Sequence, residues 1–198
     1  MENTTNKPSW MLAFDTETGG IGDDKSLLTA YFAFLKYENL TFTKLDELDL
    51  IIKPDNDVYC VTAESLEITQ IDLKQHNRNA IYQRKAGTML YDKISNWYKT
   101  ANSNKLVPVG HNVAFDIRKI CTTLVNRGSW EQYVSYRVMD TSTIAQFYRL
   151  TGKLPENVSG SLVGLSDYFQ ITNVDGVPHQ AKYDTLNTVK VLENLMRI

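Results

Sequence analysis

The chain has 198 residues, enough for one domain with a sizeable core, and a single domain over residues 1–198 is expected. Hydrophobic residues make up 42% and charged residues 22%, the balance of a globular protein, and no apolar run approaches the roughly 20 residues of a membrane-crossing helix. A net charge of −2 argues against bulk adhesion to nucleic acid, but leaves room for an enzyme that engages a chain end through metals and a local basic rim. The amino terminus, MENTTNKPSW, is polar and lacks the apolar segment of a secretory leader, so a cytoplasmic protein without a membrane partner is expected.

Residues 10–17 read as a first strand, and LLTAYFAFLKY (27–37) and LDLIIKP (48–54) as two more, with residues 40–44 contributing. VTAESLEITQIDL (61–73) looks helical. So does NAIYQRKAGTMLYDKISNWYKT (79–100), where Met89, Leu90, Ile94 and Trp97 recur at helical spacing. KLVPV (105–109) is a short strand ended by Gly110, and VAFDIRKICTTLVNRG (113–128) a helix stopped by Gly128. YVSYRVM (133–139) alternates like a strand, and Asp140 or Thr141 caps a helix through Tyr148. GSLVGLSDYF (160–169) forms a short helix, and a last helix runs from about Ala181 to Met196. Strands first, then helix–strand–helix alternation, predict one α/β domain with a mixed sheet. Cys60 and Cys121 are far apart in apolar surroundings and are expected to be buried free thiols.

Three places break the apolar pattern with an acid. Asp15 and Glu17 end the first strand, and at a spacing of two they project from one face, roughly 6–7 Å apart. A short D-x-E pattern is by itself more often a solvated strand end. Asp116 lies on the stripe formed by Val113, Ile117, Ile120, Cys121, Leu124 and Val125, near the start of its helix. A carboxylate there costs several kcal/mol or neutralises itself unless something offsets it; the helix N-terminus offsets some and a bound cation far more. Asp184 shares a face with Thr188, Val191 and Leu195, again at the start of an inward stripe, and His179 stands five residues before it in a loop or first turn. Four carboxylates without paired Cys or His ligands suit hard cations such as Mg²⁺ or Mn²⁺. Clustered acids can hold two metals about 3.5–4 Å apart for in-line attack on a phosphodiester. A nearby histidine, with an ordinary pKa close to neutral, is fit to take the proton of the attacking water.

Three motifs in this order resemble those of the DEDDh 3′–5′ exonucleases, the superfamily of RNase T, oligoribonuclease and bacterial proofreading subunits. They are FDTETGG with Asp15 and Glu17, GHNVAFD with Asn112, Phe115 and Asp116, and HQAKYD with His179, Ala181 and Asp184. The resemblance covers about residues 10–196. It implies a ribonuclease H-like fold, a five-stranded mixed sheet flanked by helices. It implies two divalent cations, Mg²⁺ or Mn²⁺, one held by Asp15, Glu17 and Asp184 and the other by Asp15 with Asp116. It makes His179 the general base, and Glu17, Thr18, Asn112 and Phe115 contacts to the terminal nucleotide. Gln180 occupies the position where the tyrosine branch of the superfamily has its Tyr, so the histidine branch fits.

The implied activity is metal-dependent hydrolysis at single-stranded DNA or RNA 3′ ends, releasing nucleoside 5′-monophosphates. A homodimer is among the arrangements such relatives adopt. Competing expectations are a non-catalytic nucleic-acid-binding or polymerase-associated subunit, and a phosphodiesterase confined to short oligonucleotides. His111 is expected to orient the GHN turn, His76 to lie on the surface, Asp140 to cap a helix, Lys182 to be a solvated helix charge, and Trp97, Trp130 and Tyr183 to pack.

Overall fold

The computed structural model describes residues 9–39, 41–172, 174 and 176–198; Leu40, expected to contribute to a strand, lies outside them. The first three strands, β1 (Ser9–Thr18), β2 (Leu27–Glu38) and β3 (Thr41–Lys53), form an antiparallel meander. β4 (Ile81–Tyr82) adds parallel to β3, β5 (Val107–Gly110) parallel to β1, and β6 (Met139–Asp140) parallel to β5. The sheet is therefore six-stranded, in the order β4-β3-β2-β1-β5-β6. The five-stranded expectation falls short by the two-residue β4, too brief to leave a period in the sequence.

Eight helices flank this sheet among the described residues: α1 (Ala63–Thr69), α2 (Leu73–Asn79), α3 (Gln83–Thr100), α4 (Val113–Thr123), α5 (Arg127–Tyr133), α6 (Thr141–Leu150), α7 (Leu162–Tyr168) and α8 (Ala181–Leu195). β1 is buried on both faces, which is why it reads as a continuous apolar run. Leu12 and Phe14 point to the side covered by α3, α4 and α5, where Leu90, Ile94, Ile117, Ile120 and Trp130 complete the core. Met11 and Ala13 point to the opposite side, against Ala181, Val189 and Leu192 of α8. Behind α8, Val191 and Leu195 pack with Ala145 and Leu165 of α6 and α7.

Several expectations need correction. The 61–73 helix is two helices, because Gln70 turns left-handed (φ 55°) and Asp72 caps a new start through the Lys74 and Gln75 amides. The helix after Gly110 ends at Thr123; Asn126 caps the next one, so Gly128 lies inside α5 rather than stopping its predecessor. Of the 133–139 strand only Met139 remains, Tyr133 ending α5 and Val134 making one bridge to Leu106. Met89 is exposed, and Ala86 and Gly87 take the inward positions of α3; a Cβ on Gly87 would lie 2.2 Å from the Leu124 carbonyl oxygen. His76 is buried, its Nε2 bonded to the Ile52 carbonyl at 2.9 Å, and burial lowers its pKa. Both cysteines are free but only half-buried, and Cys60 sits among polar groups of Lys25 and Asp24.

Candidate active site

β1, β5 and β6 run parallel, so their carboxyl ends open on one edge of the sheet. In open α/β sheets that edge is where ligands bind. The acids at the end of β1, the GHN turn after β5 and Asp140 at the end of β6 meet there because the topology permits nothing else.

Asp15 shares the face of Met11 and Ala13, as does Glu17 by alternation, and both therefore look toward α8. Asp184 enters from the first turn of α8. One carboxylate oxygen from each of Asp15, Glu17 and Asp184 lies within 4.8 Å of the others. Glu17 is 9% exposed, and its buried Oε1 has no hydrogen-bond partner. An orphaned carboxylate oxygen of this kind costs about 1–3 kcal/mol or more unless a ligand satisfies it.

Asp116 reaches the edge from the other side of β1. It is 4% exposed on the first turn of α4, and its Oδ1 accepts a hydrogen bond from the Thr16 hydroxyl at 2.6 Å. It stands outside the three-acid cluster, yet close enough for its charge to act on two of its members. Thr16 is the link that the sequence pattern passes over. Lying between Asp15 and Glu17, it points by alternation to the α4 face.

The electrostatics are those of anions stripped of water. Burial, and then the charges of Asp116, Glu17 and Asp184, hold the Asp15 carboxyl well above the usual carboxylate range. Burial, followed by Asp184 and Asp116, lifts Glu17 to about 7. Burial also lifts Asp116 to about 7, against the opposing Thr16 hydrogen bond. Asp184 is raised by burial, opposed by His179. Among the described residues no Lys or Arg forms an ion pair with any of the four. Oxygen donors, converging buried anions and an unpaired Oε1 fit a hard divalent cation.

The remaining residues are placed by local geometry. His179 is exposed at the edge with φ 63°, and its backbone N–H donates to Asp184 Oδ2 at 3.0 Å, tying its loop to the start of α8. Asn112 is exposed and left-handed (φ 59°), the sharp corner that starts α4. Its N–H donates to Asp140 Oδ1 at 3.0 Å, and the same oxygen accepts from Ser142 N–H to cap α6. Asp140 is thus a helix cap, as expected, and also the brace of the GHN turn, which sequence spacing does not reveal. His111 Nδ1 lies 2.9 Å from the Thr141 hydroxyl and steadies the same turn. Phe115 is half-buried beneath Arg118, whose guanidinium stands 5.7 Å from the ring. The Thr18 hydroxyl donates to the Gly20 carbonyl at 2.8 Å, so its side chain shapes the turn leaving β1. Lys182 turns away from the acids to Glu47, 3.4 Å off. Trp130 is buried at 2% exposure and Trp97 stacks on Phe34, both packing residues.

No protein-family model matches the chain, and no curated protein does. Solved structures do. Exonuclease I from Methylocaldum szegediense aligns with a TM-score of 0.68 at 19% identity, over 96% of this chain and 40% of that one. Escherichia coli exonuclease I in complex with a dT13 oligonucleotide aligns with a TM-score of 0.66 at 15% identity, over 94% of this chain and 41% of that one. The fold is ribonuclease H-like. This chain spans about two fifths of the length of those exonucleases. In this sheet β1, the strand that carries Asp15 and Glu17, lies inside between β2 and β5.

Proposed function

We propose that the chain is a single metal-dependent 3′–5′ exonuclease domain acting on single-stranded nucleic-acid ends and releasing nucleoside 5′-monophosphates. One observation carries this reading. Three carboxylates with raised pKa values converge within 4.8 Å at the carboxyl edge of a sheet that has the fold of exonuclease I. A protein that only binds nucleic acid gains nothing from mutually repelling, desolvated anions.

Asp15, Glu17 and Asp184 would hold one Mg²⁺ or Mn²⁺, and Asp15 with Asp116 a second. When bound, such ions would supply positive charge that stabilises the charge developing in hydrolysis of a phosphodiester. Everything else falls to this chain's own groups. Thr16 fixes the Asp116 carboxylate, and the His179 amide fixes that of Asp184. His179 takes a proton from the attacking water, its exposed ring free to exchange that proton with solvent. Glu17 and Thr18 meet the terminal 3′-hydroxyl, while Asn112 and Phe115 position the last nucleotide. Single strands are favoured as substrates because E. coli exonuclease I, of the same fold, is seen with dT13.

The test is a degradation series with 3′-ended single-stranded DNA, RNA and duplexes, with Mg²⁺, Mn²⁺ or chelator. Wild-type protein should shorten single strands from the 3′ end only with metal. His179→Ala should retain its melting temperature and lose about 10²–10⁴-fold in rate. Asp15→Ala degrading a strand as fast as wild type would overturn the assignment.

A further inference from the structure

Lys119 is 3% exposed on α4, one turn after Asp116. Its ammonium has three protons to donate and uses them on one loop. Nζ donates to the Gly22 carbonyl at 3.3 Å, the Asp23 carbonyl at 3.2 Å and the Lys25 carbonyl. It forms no ion pair with a carboxylate among the described residues. Burial disfavours its ammonium, and the charges of Asp23 and Asp24 on the same loop offset part of that cost. The loop it holds, residues 19–26, leaves β1 directly after Glu17 and Thr18.

That loop is fastened at its base as well. Gly19 N–H donates to the Ser26 carbonyl at 2.8 Å, and Thr62 N–H to the Gly19 carbonyl at 2.8 Å. Ser26 N–H bonds the Cys60 carbonyl at 2.9 Å, and the Ser26 hydroxyl accepts from Cys60 N–H at 2.8 Å. A Cβ on Gly19 would lie 2.4 Å from the Cys60 carbonyl oxygen, so the chain runs tight there. The base is set by these bonds. The tip, Gly22 to Lys25, is turned by the bond from Lys25 N–H to the Gly22 carbonyl, and tied by contacts of Asp23 to Arg118 and of Asp24 and Lys25 to Cys60. It is held from beneath by Lys119, the one buried side chain that reaches its carbonyls among the described residues. Helix α4 thus grips the end of β1 on both sides of Glu17, Asp116 taking Thr16 before it and Lys119 the loop after it.

We infer that Lys119 is a positioning residue, which fixes the tip of the loop after β1 against α4 and so presents that loop's backbone beside the strand end that would receive the terminal nucleotide. This rests on the exonuclease reading above for its substrate. The three donors of Lys119 are all committed to loop carbonyls, so its loss should weaken capture of the strand end more than the chemical step.

Lys119→Met keeps the length of the side chain and removes its three donors. Its effect is read by hydrogen–deuterium exchange and by steady-state kinetics on a single-stranded oligonucleotide with Mn²⁺. The Lys25 amide, which bonds the Gly22 carbonyl at 3.1 Å, should exchange about tenfold faster, with the Ser26 amide, β1 and α4 unchanged. KM should rise about tenfold with kcat within about threefold, the pattern of lost binding rather than lost transition-state contact. Lys119→Gln, an uncharged donor of two hydrogen bonds, should fall between the two proteins and guards against a variant that fails to fold. Folded variants with wild-type exchange in the loop, or with unchanged KM, would overturn the inference. Wild-type protein without metal-dependent activity would instead refute the exonuclease reading, while the exchange data still judge the loop.

Discussion

Two groups of polar side chains lie on the α8 side of the same sheet, one of converging carboxylates and one built around the single carboxylate of Glu47, and their chemistry is opposite. At the carboxyl edge of β1, burial and then the charges of Asp184 and Asp116 lift Glu17 to about 7, and burial with the neighbouring acids holds Asp15 well above the usual carboxylate range. Across the sheet, Asp15 pairs in register with Tyr31, which in turn hydrogen-bonds Glu47 at 2.6 Å. Glu47 also binds Lys44 and stands 3.4 Å from Lys182, and these partners, Lys44 and Tyr31 foremost, bring it down to about 2. The second cluster is satisfied by the protein alone. The first leaves Glu17 Oε1 without a partner and fits a divalent cation, and that contrast is what the proposed function rests on.

The largest test of the contrast is removal of a site acid. Asp184→Ala should reduce metal-dependent hydrolysis by more than about 10³-fold, since an acid of the cluster sets the charge available to the transition state. Calorimetry with Mn²⁺ should show that variant losing the binding measured for wild type. In the protein without metal, Asp15→Asn should raise the melting temperature at pH 8 by a few degrees, at about 2–4 °C per kcal/mol for a chain of this size. A variant less stable than wild type would mean that the acids are not in conflict.

A second test uses pH. The site acids bind protons more tightly folded than unfolded. Their contribution to stability is therefore full below about pH 4, the ordinary carboxylate range, and is lost as pH rises toward about 7. Chelated protein should lose melting temperature over that window. Mn²⁺ should restore it at pH 8 and do little at pH 5, where protons compete for the same oxygens.

The smallest effect is expected at Glu47. Its depressed pKa gives stability that is present above about pH 4.5 and lost as pH falls toward 2. Because its side chain is 39% exposed and screened by solvent, Glu47→Gln should cost only about 0.5–1 kcal/mol in denaturant unfolding. Mn²⁺ affinity should be unchanged, and a variant that lost metal binding would erase the distinction between the two clusters.

Much of the site was legible before the fold, because buried acids interrupt apolar periodicity and say so locally. Asp116 breaks the stripe of Val113, Ile117 and Ile120, and it is buried as that spacing requires. Strands β1 and β2 were legible for the same reason, their long apolar runs admitting few alternatives. Residues 133–139 alternate as a strand, yet only Met139 joins one, because α5 claims Tyr133, Val134 makes a single bridge to Leu106 ahead of β5, and β5 pairs with Met139 and Asp140. His76 reads as surface in a polar stretch, but the Ile52 carbonyl that buries it lies 24 residues away.

The sequence by itself determined which residue types this protein spends against its own stability: Asp15, Glu17, Asp116 and Asp184, each at the end or start of an element. Only the tertiary structure decided how they divide. Alternation along β1 sends Asp15 and Glu17 toward Asp184 on α8 and leaves Thr16 to hold Asp116 from the α4 side. Tertiary structure likewise turned Lys182 to Glu47 and buried Lys119 beneath the loop after β1. Local sequence reports the cost of burying a charge. The partner that meets that cost comes from distant parts of the chain, and only folding brings it there.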